Sequence, residues 1–599
     1  MDKRHIYNSG IIGNCNYIAH VHKSTNINWL CWPTFEDSFV FGCLLDTEKG
    51  GEFNIRLNDT EINSEQYYLE NTNILVTEVK GKNAGFRVID FAPRFIQFER
   101  YYKPLMLVRI VEPLYGTANI KVNCKPKANY GKHDYNKSRG SNHVQFDHNN
   151  EHLRLTTNIP IRHFFDDEDG KFLLSEKKYM ILTYGNSFDA PLQQTAEDFL
   201  QKTKLYWRRW TKKANIPNFY QDHIIRSALV LKLHQYEDTG AIIASSTTSL
   251  PESPGSGRNW DYRYSWVRDS FYVLTALSHI GKFDELEEFA NYITSITQSD
   301  SGRLQPLYGI LGRKVLTETT LDYLEGYRGN KPVRIGNQAY EHIQNDVYGQ
   351  AMIALLPLYT DYRFPQDERK DAKSWLKYIL EKIQMTIDEK DAGIWEFRNI
   401  ANHHAYSNLF QWAGASAALK IAQQNNYKDI EEQAKTLMEK AAAYIEKCYD
   451  PEKQVYRNSD EGSNLDASTL QLILMNYLVP SSEKAKKHLE VVESELKGKN
   501  GLFYRYLHKD DFGKPKTTFL VCAFWYVEAL ACVGRLDEAQ ETFEQLLNYG
   551  NSLKLFSEDV NEDDGSQWGN FPQAYSHVGL MNAAYRIAIK LDRPIFINK

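Results

Sequence analysis

From about residue 219 onward the chain alternates between two kinds of helix-forming segment, and that alternation limits its fold more than any other feature. Segments such as VYGQAMIALLPLY, NLFQWAGASAALKIA, ASTLQLILMNYL and TTFLVCAFWYVEALACVG are apolar nearly all round. Each is followed by a charged amphipathic partner, for example DIEEQAKTLMEKAAAYIEK or SEKAKKHLEVVESEL. A helix apolar on every side must be buried, and one with a charged face lies at a surface. Twelve helices are expected, at 219–236, 266–281, 284–298, 344–361, 371–387, 405–423, 428–449, 467–478, 482–496, 517–535, 537–549 and 572–590. Six buried helices inside six exposed ones make a closed double ring, an (α/α)6 barrel. An α-solenoid would also stack helix pairs, but no fixed-period repeat runs through the sequence, which counts against it.

The region before the helices has a different period. Short alternating runs, NILVTEV (73–79), GFRVIDF (85–91), LMLVRIVEPL (105–114), NIKVNC (119–124), LRLTTN (153–158) and KYMILTYG (178–185), recur between Asn, Gly, Asp and Pro clusters. Strands at this spacing predict an antiparallel β-sandwich. The expected organisation is therefore all-β followed by all-α: a β-sandwich domain over 1–193, a helical linker over 194–218 and the barrel over 219–599.

Composition narrows the function classes. Of 599 residues 25% are charged, and 71 basic against 77 acidic residues leave a net charge of −6, which argues against a general nucleic-acid binder. No apolar run approaches the roughly 18 residues of a membrane span. The seven cysteines form no CxxC pair, so neither a zinc site nor a disulfide framework is suggested. The N-terminus, MDKRHIYNSGIIGNCNYIAH, lacks the apolar core of a secretory signal, so the expectation is a soluble, cytoplasmic protein. Aromatic residues reach 13%, with 38 tyrosines; flat faces with polar tips suit sugar rings, though large cores with edge tyrosines would give the same excess.

The chemically rich residues fall in the loops leading into the buried helices, which a ring of hairpins gathers at one end. Functional residues concentrate in such loops, and the helix N-termini there favour anionic groups. The segment Arg258-Asn259-Trp260-Asp261-Tyr262-Arg263-Tyr264-Ser265-Trp266-Val267-Arg268-Asp269 is the densest cluster; it reads either as a sugar-binding surface or as a helix start with an Arg–Asp pair. Gly393-Ile394-Trp395-Glu396 sets a carboxyl beside an apolar pair, the environment that raises a carboxyl pKa for general-acid work. Leu555-Phe556-Ser557-Glu558-Asp559 is a second carboxyl cluster, in a polar setting that lets a base stay ionised. Each glutamate alone reads more readily as an ordinary helix-start or loop acid. Together, facing one aromatic cavity, they match the two carboxyls of glycoside hydrolysis. His403 and His404 lack a third ligand at metal spacing, Gly255 and Gly257 lack a Rossmann context, and His577 faces either core or pocket. The chemistry needs no cofactor and no metal.

The motifs IIGNCNYIAHVHKSTNINWLCWPTFEDSFVFGCLLD (11–46), TTSLPE, RNWDYRYSWVRD, LEGYRGNKPVRIGNQA, DVYGQ, GIWEFR, FLVCAFWYVEALACVGRLDEA and LFSED…GNFPQAYSH together resemble glycoside hydrolase family 15, the glucoamylase-like enzymes, in the branch with glucodextranases and trehalases. The resemblance spans essentially the whole chain. It implies an inverting exo-acting hydrolase that releases β-glucose from the non-reducing ends of α-linked gluco-oligosaccharides, with α,α-trehalose as the alternative substrate and a disaccharide phosphorylase as a more distant one. Carried over by motif, Glu396 is the general acid and Glu558 the general base. Trp266, Arg268 and Asp269 hold the terminal sugar with Trp395 nearby, and Tyr264 and Arg398 belong to the same substrate-binding motifs. Two departures bear on linkage preference: Tyr406 and Asn408, which follow the acid and are expected to border the leaving-group subsite, stand where relatives often carry His and Lys, and Asp559 follows Glu558 where a second Glu is usual.

Overall fold

A computed structural model describes residues 4–165, 170–186, 188–298, 302–365 and 372–591. Two antiparallel sheets form the N-terminal sandwich. One has seven strands and contains Ser9–Gly13, Ile18–His22, Ile27–Cys31, Glu52–Leu57 and Ala118–Lys125; the other has eight, with Met106–Tyr115 between Gly85–Phe91 and Lys178–Tyr184. Period-2 alternation sorts the side chains of the second sheet. Leu107 and Val111 face the first sheet, whereas Val108 and Ile110 turn to the opposite face, where they pack with Ala196 and Leu200 of helix α1, Leu192–Lys212. That second covered face explains why these strands read as nearly continuous apolar runs. Between the sheets Arg109 and Asp90 form a fully buried pair, Nε to Oδ1 at 2.7 Å, and Arg109 also donates to the Phe53 carbonyl. A buried charge needs such complete pairing.

Twelve further helices follow: α2 Gln221–His234, α3 Val267–His279, α4 Asp284–Gln298, α5 Val347–Thr360, α6 Ala372–Thr386, α7 Ala405–Asn425, α8 Lys428–Lys447, α9 Gln471–Leu474, α10 Glu483–Leu496, α11 Leu520–Val533, α12 Leu536–Leu547 and α13 Ala574–Lys590. The apolar ones, α3, α5, α7, α9, α11 and α13, pack neighbour to neighbour, and α13 returns to α3. The inner ring is closed, which a solenoid would not be. Glycines set one of its tightest crossings: a Cβ on Gly349 of α5 would run into the Phe410 carbonyl of α7, and one on Gly414 would meet the Gly349 backbone. The outer helices carry the charged faces. Helix α2 differs because the sandwich covers it; Arg226 donates to Asn73 and to the Thr72 carbonyl.

Every expected helix is present, with one strongly shortened. The segment 467–478 is a 3-10 turn, Ala467–Leu470, running into the single turn α9. Asn476 takes a left-handed φ of 60°, and the Leu478 N–H closes back on the Leu472 carbonyl, a C-terminal cap that ends the helix there. Residue 371, the expected start of α6, lies outside the described residues. No helix among the described residues is long and apolar enough to cross a membrane.

Candidate active site

The loops before the inner helices converge on one crater, and both glutamates line it. A two-residue strand, Ser265–Trp266, pairs with Leu307–Tyr308 at the start of α3. It delivers Trp266 to the crater wall, with Arg268 and Asp269 on the first turn of α3 behind it. The dense aromatic–charged cluster divides its labour. Asp261 and Arg263 pair with each other, and Arg263 also donates to the Asp37 carbonyl of the sandwich, so both residues act as anchors. Tyr264 corrects the sequence expectation. It is 3% exposed, packs with Leu307, Leu316 and Ala339 behind Trp266, and does not line the crater. Tyr262 lines it instead.

Glu396 ends a tight turn in which its own N–H returns to the Gly393 carbonyl at 3.2 Å. Its φ is 59°, a left-handed conformation costly for a residue with a side chain and found preferentially at functional sites. Two donors meet on its Oε1: the Trp266 indole N–H at 2.8 Å and an Arg268 N–H at 3.2 Å. Arg268 locks the turn further by donating to the Ile394 carbonyl, and it also donates to the Tyr575 hydroxyl. The apolar setting expected for Glu396 is therefore absent: its carboxylate is part-exposed and held by an indole and a guanidinium.

Glu558 is the buried one, at 1% exposure. The Tyr262 hydroxyl donates to its Oε1 at 2.9 Å and the Asn570 N–H to its Oε2 at 3.2 Å. Burial, and then the nearby Glu252 carboxylate, push its pKa up, while Arg505, Tyr262 and the Asn570 N–H oppose them. Burial drives Asp559 up as well, with Glu252 and Glu558 adding to it. Arg505 pairs with Glu252, and Thr517 donates to Asp559 at 3.0 Å. Glu558 thus keeps the polar setting and backbone donor expected of it, while burial and Glu252, which arrives from another loop, push its carboxyl up.

The remaining candidates occupy distinct positions. Asp269 lies 3.6 Å from Arg268 and is pushed up to about 7 by burial, with Arg268 opposing. Trp395 lines the wall and donates its indole N–H to Asp466 at 2.9 Å. Arg398 belongs to the rim: its backbone N–H donates to Asp511, its guanidinium to Glu318, and it lies over the Trp260 ring at 4.8 Å. Tyr406 and Asn408, expected to border the leaving group, are buried in α7 instead. Tyr406 bonds to the Tyr272 hydroxyl and Asn408 to the His404 carbonyl, and neither lines the crater. His577 faces the core, bonded to Ser227. Residues to which the sequence gave no role, Glu252, Tyr262, Arg505, Gln573 and Tyr575, line the crater; the signal was that all but Arg505 stand in its motifs. Four buried polar atoms on its lining residues lack a hydrogen-bond partner: Asp269 Oδ2, Gln573 Oε1, Arg505 Nε and His342 Nδ1.

A β-sandwich joined to an (α/α)6 barrel, with two carboxyls on one aromatic crater, defines a glycoside hydrolase. The family model described as glycosyl hydrolases family 15 matches residues 218–585, and a second, described as trehalase-like, N-terminal, matches residues 2–161. The chain belongs to glycosyl hydrolases family 15. It is 33% identical to a trehalase of Thermoplasma volcanium over 98% of this chain and 93% of the relative. A trehalase of Mycolicibacterium smegmatis is 29% identical over 96% of this chain and 90% of the relative. Among solved structures, a bacterial glucoamylase complexed with acarbose superposes with a TM-score of 0.73, covering 98% of this chain and 95% of that one at 16% identity.

Proposed function

We propose that this enzyme hydrolyses α,α-trehalose with inversion, Glu396 acting as general acid and Glu558 as general base. The observation that carries the reaction is the placement of both carboxyls on one crater. Inversion requires an acid on one side of the glycosidic bond and a base that activates water on the other. Glu396, part-exposed, meets the leaving oxygen, and Glu558 at the buried end takes the water's proton. Burial and the Glu252 carboxylate push the Glu558 carboxyl up to about 8, while Arg505, Tyr262 and the Asn570 N–H favour the anion that takes the water's proton. Trp266, Arg268, Asp269 and Trp395 hold the terminal glucose.

Trehalose is preferred over longer α-glucans on two grounds. Relatives named trehalase match nearly the full length of the chain, and the rim is cross-tied. Trp260 lies between Arg334 and Arg398, at 4.6 and 4.8 Å, with Phe512 edge-on to it. Arg398 ties this rim to Asp511 and Glu318, which suits a leaving group of one sugar. Three carboxyls, Glu252, Glu558 and Asp559, gathered at the buried end favour water over a phosphate dianion and so hydrolysis over phosphorolysis. The test is a panel of trehalose, maltose, isomaltose and maltotriose in phosphate-free buffer. Trehalose should give the highest kcat/KM by at least tenfold; faster cleavage of maltose or maltotriose would return the reading to a glucoamylase-like exo-hydrolase.

A further inference from the structure

The first residues of the chain, far from the barrel in sequence, form the back of the loop that holds Glu558. The His5 carbonyl accepts from the Gln567 N–H at 2.8 Å, and the Tyr7 N–H donates to Gln567 Oε1 at 2.9 Å. The His5 ring stacks on Trp568 and the Tyr7 ring on Phe571, with centroids 4.6 and 4.8 Å apart. Tyr7 is 4% exposed, and its hydroxyl donates to the Gly569 carbonyl at 2.9 Å.

That carbonyl belongs to the same peptide unit as the Asn570 N–H, which donates to Glu558 Oε2 at 3.2 Å. In a planar trans peptide the carbonyl and the N–H point in opposite directions. A donor on the carbonyl therefore aims the N–H and, by polarising the amide, strengthens the bond that the N–H makes. Gly569 also presses directly on the carboxyl: its φ is 75°, and a Cβ there would lie 2.5 Å from both Glu558 Cβ and Oε2.

We propose that Tyr7 is a positioning residue for the hydrolysis, acting through the Gly569–Asn570 peptide to hold Glu558 in place, so that the N-terminal segment completes the barrel's active site. The inference rests on the assignment of Glu558 as base. Tyr7 touches neither sugar nor water and acts only through the amide.

The test uses the full chain and α-glucosyl fluoride, a substrate with no sugar leaving group, so that its outcome does not depend on linkage preference. Tyr7→Phe keeps the ring stacked on Phe571 and removes the donor. The expected result is a kcat lower by about 5- to 10-fold, the scale of one hydrogen bond between neutral groups, with KM within about twofold. A weaker N–H donor disfavours the Glu558 anion, so the acid limb of the pH profile moves to higher pH. Tyr7→4-aminophenylalanine, whose para N–H stands where the hydroxyl does, recovers part of the turnover and returns the limb toward the parent; it also serves if Tyr7→Phe does not fold. Unchanged kcat and limb in a folded Tyr7→Phe, or a raised KM alone, overturns the relay. Glu558→Gln in the same assay separates the two claims: near-parent turnover there refutes the base assignment, whereas a collapse there beside an unaffected Tyr7→Phe refutes the relay alone.

Discussion

Glu396 and Glu558 face one crater from mounts of opposite construction. Glu396 projects from a strained turn, part-open to solvent, and two side-chain donors reach the same oxygen. Glu558 is enclosed, and each of its oxygens has its own donor, one from a tyrosine and one from a backbone amide. An acid must exchange its proton with solvent each cycle and tolerates exposure. A base that activates one water gains from a fixed direction and a dry wall. On the proposed assignment, the difference teaches that acid and base are distinguished by geometry and access rather than by apolar against polar surroundings.

The comparison breaks first on the glutamates themselves. Glu396→Gln and Glu558→Gln should each lower kcat on trehalose by at least roughly 10², with inhibitor affinity by calorimetry largely kept. α-Glucosyl fluoride sharpens the distinction, because fluoride leaves with little help from an acid. On that substrate Glu396→Gln should recover much of its rate and Glu558→Gln should not; the opposite pattern exchanges the roles.

Next in size is Gly569→Ala. A methyl group beside Glu558 Oε2 at a left-handed φ displaces the carboxyl, and misplacing a catalytic group by about 1 Å can cost about 10² in rate. The kcat should fall toward that figure while the fold, followed by circular dichroism, persists. A kcat unchanged in a folded variant would mean that the Glu558 mount is not rigid.

Much of this was legible in the chain and part was not. The alternation of all-apolar and charged helices dictated the double ring, and six of the sandwich strands were readable from their alternation. The Trp266-x-Arg268-Asp269 segment stood out by its density of aromatic and charged residues, and the two glutamates only by occurring together in loops at one end of the ring. The surroundings of the glutamates were not legible. Trp266 and Arg268 reach Glu396 from about 130 residues away, and Glu252, Arg505 and Tyr7 reach the Glu558 loop from separate segments. Nor could the sequence separate Tyr262 from Tyr264, since a strand of two residues carries no period. Tyr406 and Asn408 were misplaced because adjacency to the GIWEFR motif in sequence was taken for adjacency in space, whereas α7 turns both into the ring.

A smaller effect sharpens that point. Tyr262→Phe removes a donor to Glu558 and should cost about tenfold in kcat. Tyr264→Phe, behind the wall, should change kcat less than twofold; equal losses would undo the distinction between them.

The smallest expected effect is a displacement along the pH axis. The Glu252 carboxylate raises the pKa of Glu558. Glu252→Gln removes that charge and frees Arg505 to pair with Glu558. Both changes favour the Glu558 anion, so the base is ionised at lower pH and the acid limb of kcat/KM should move down by about one unit. A limb that stays in place, or moves up, would show that Glu252 does not govern Glu558.

The central claim is that the two carboxyls work on opposite sides of one glycosidic bond, and proton NMR of early trehalose hydrolysis tests it most directly. With inversion the attacked glucose appears as the β-anomer and the departing one as the α-anomer, so equal amounts of both should be seen before mutarotation. Release of α-glucose alone would contradict the account.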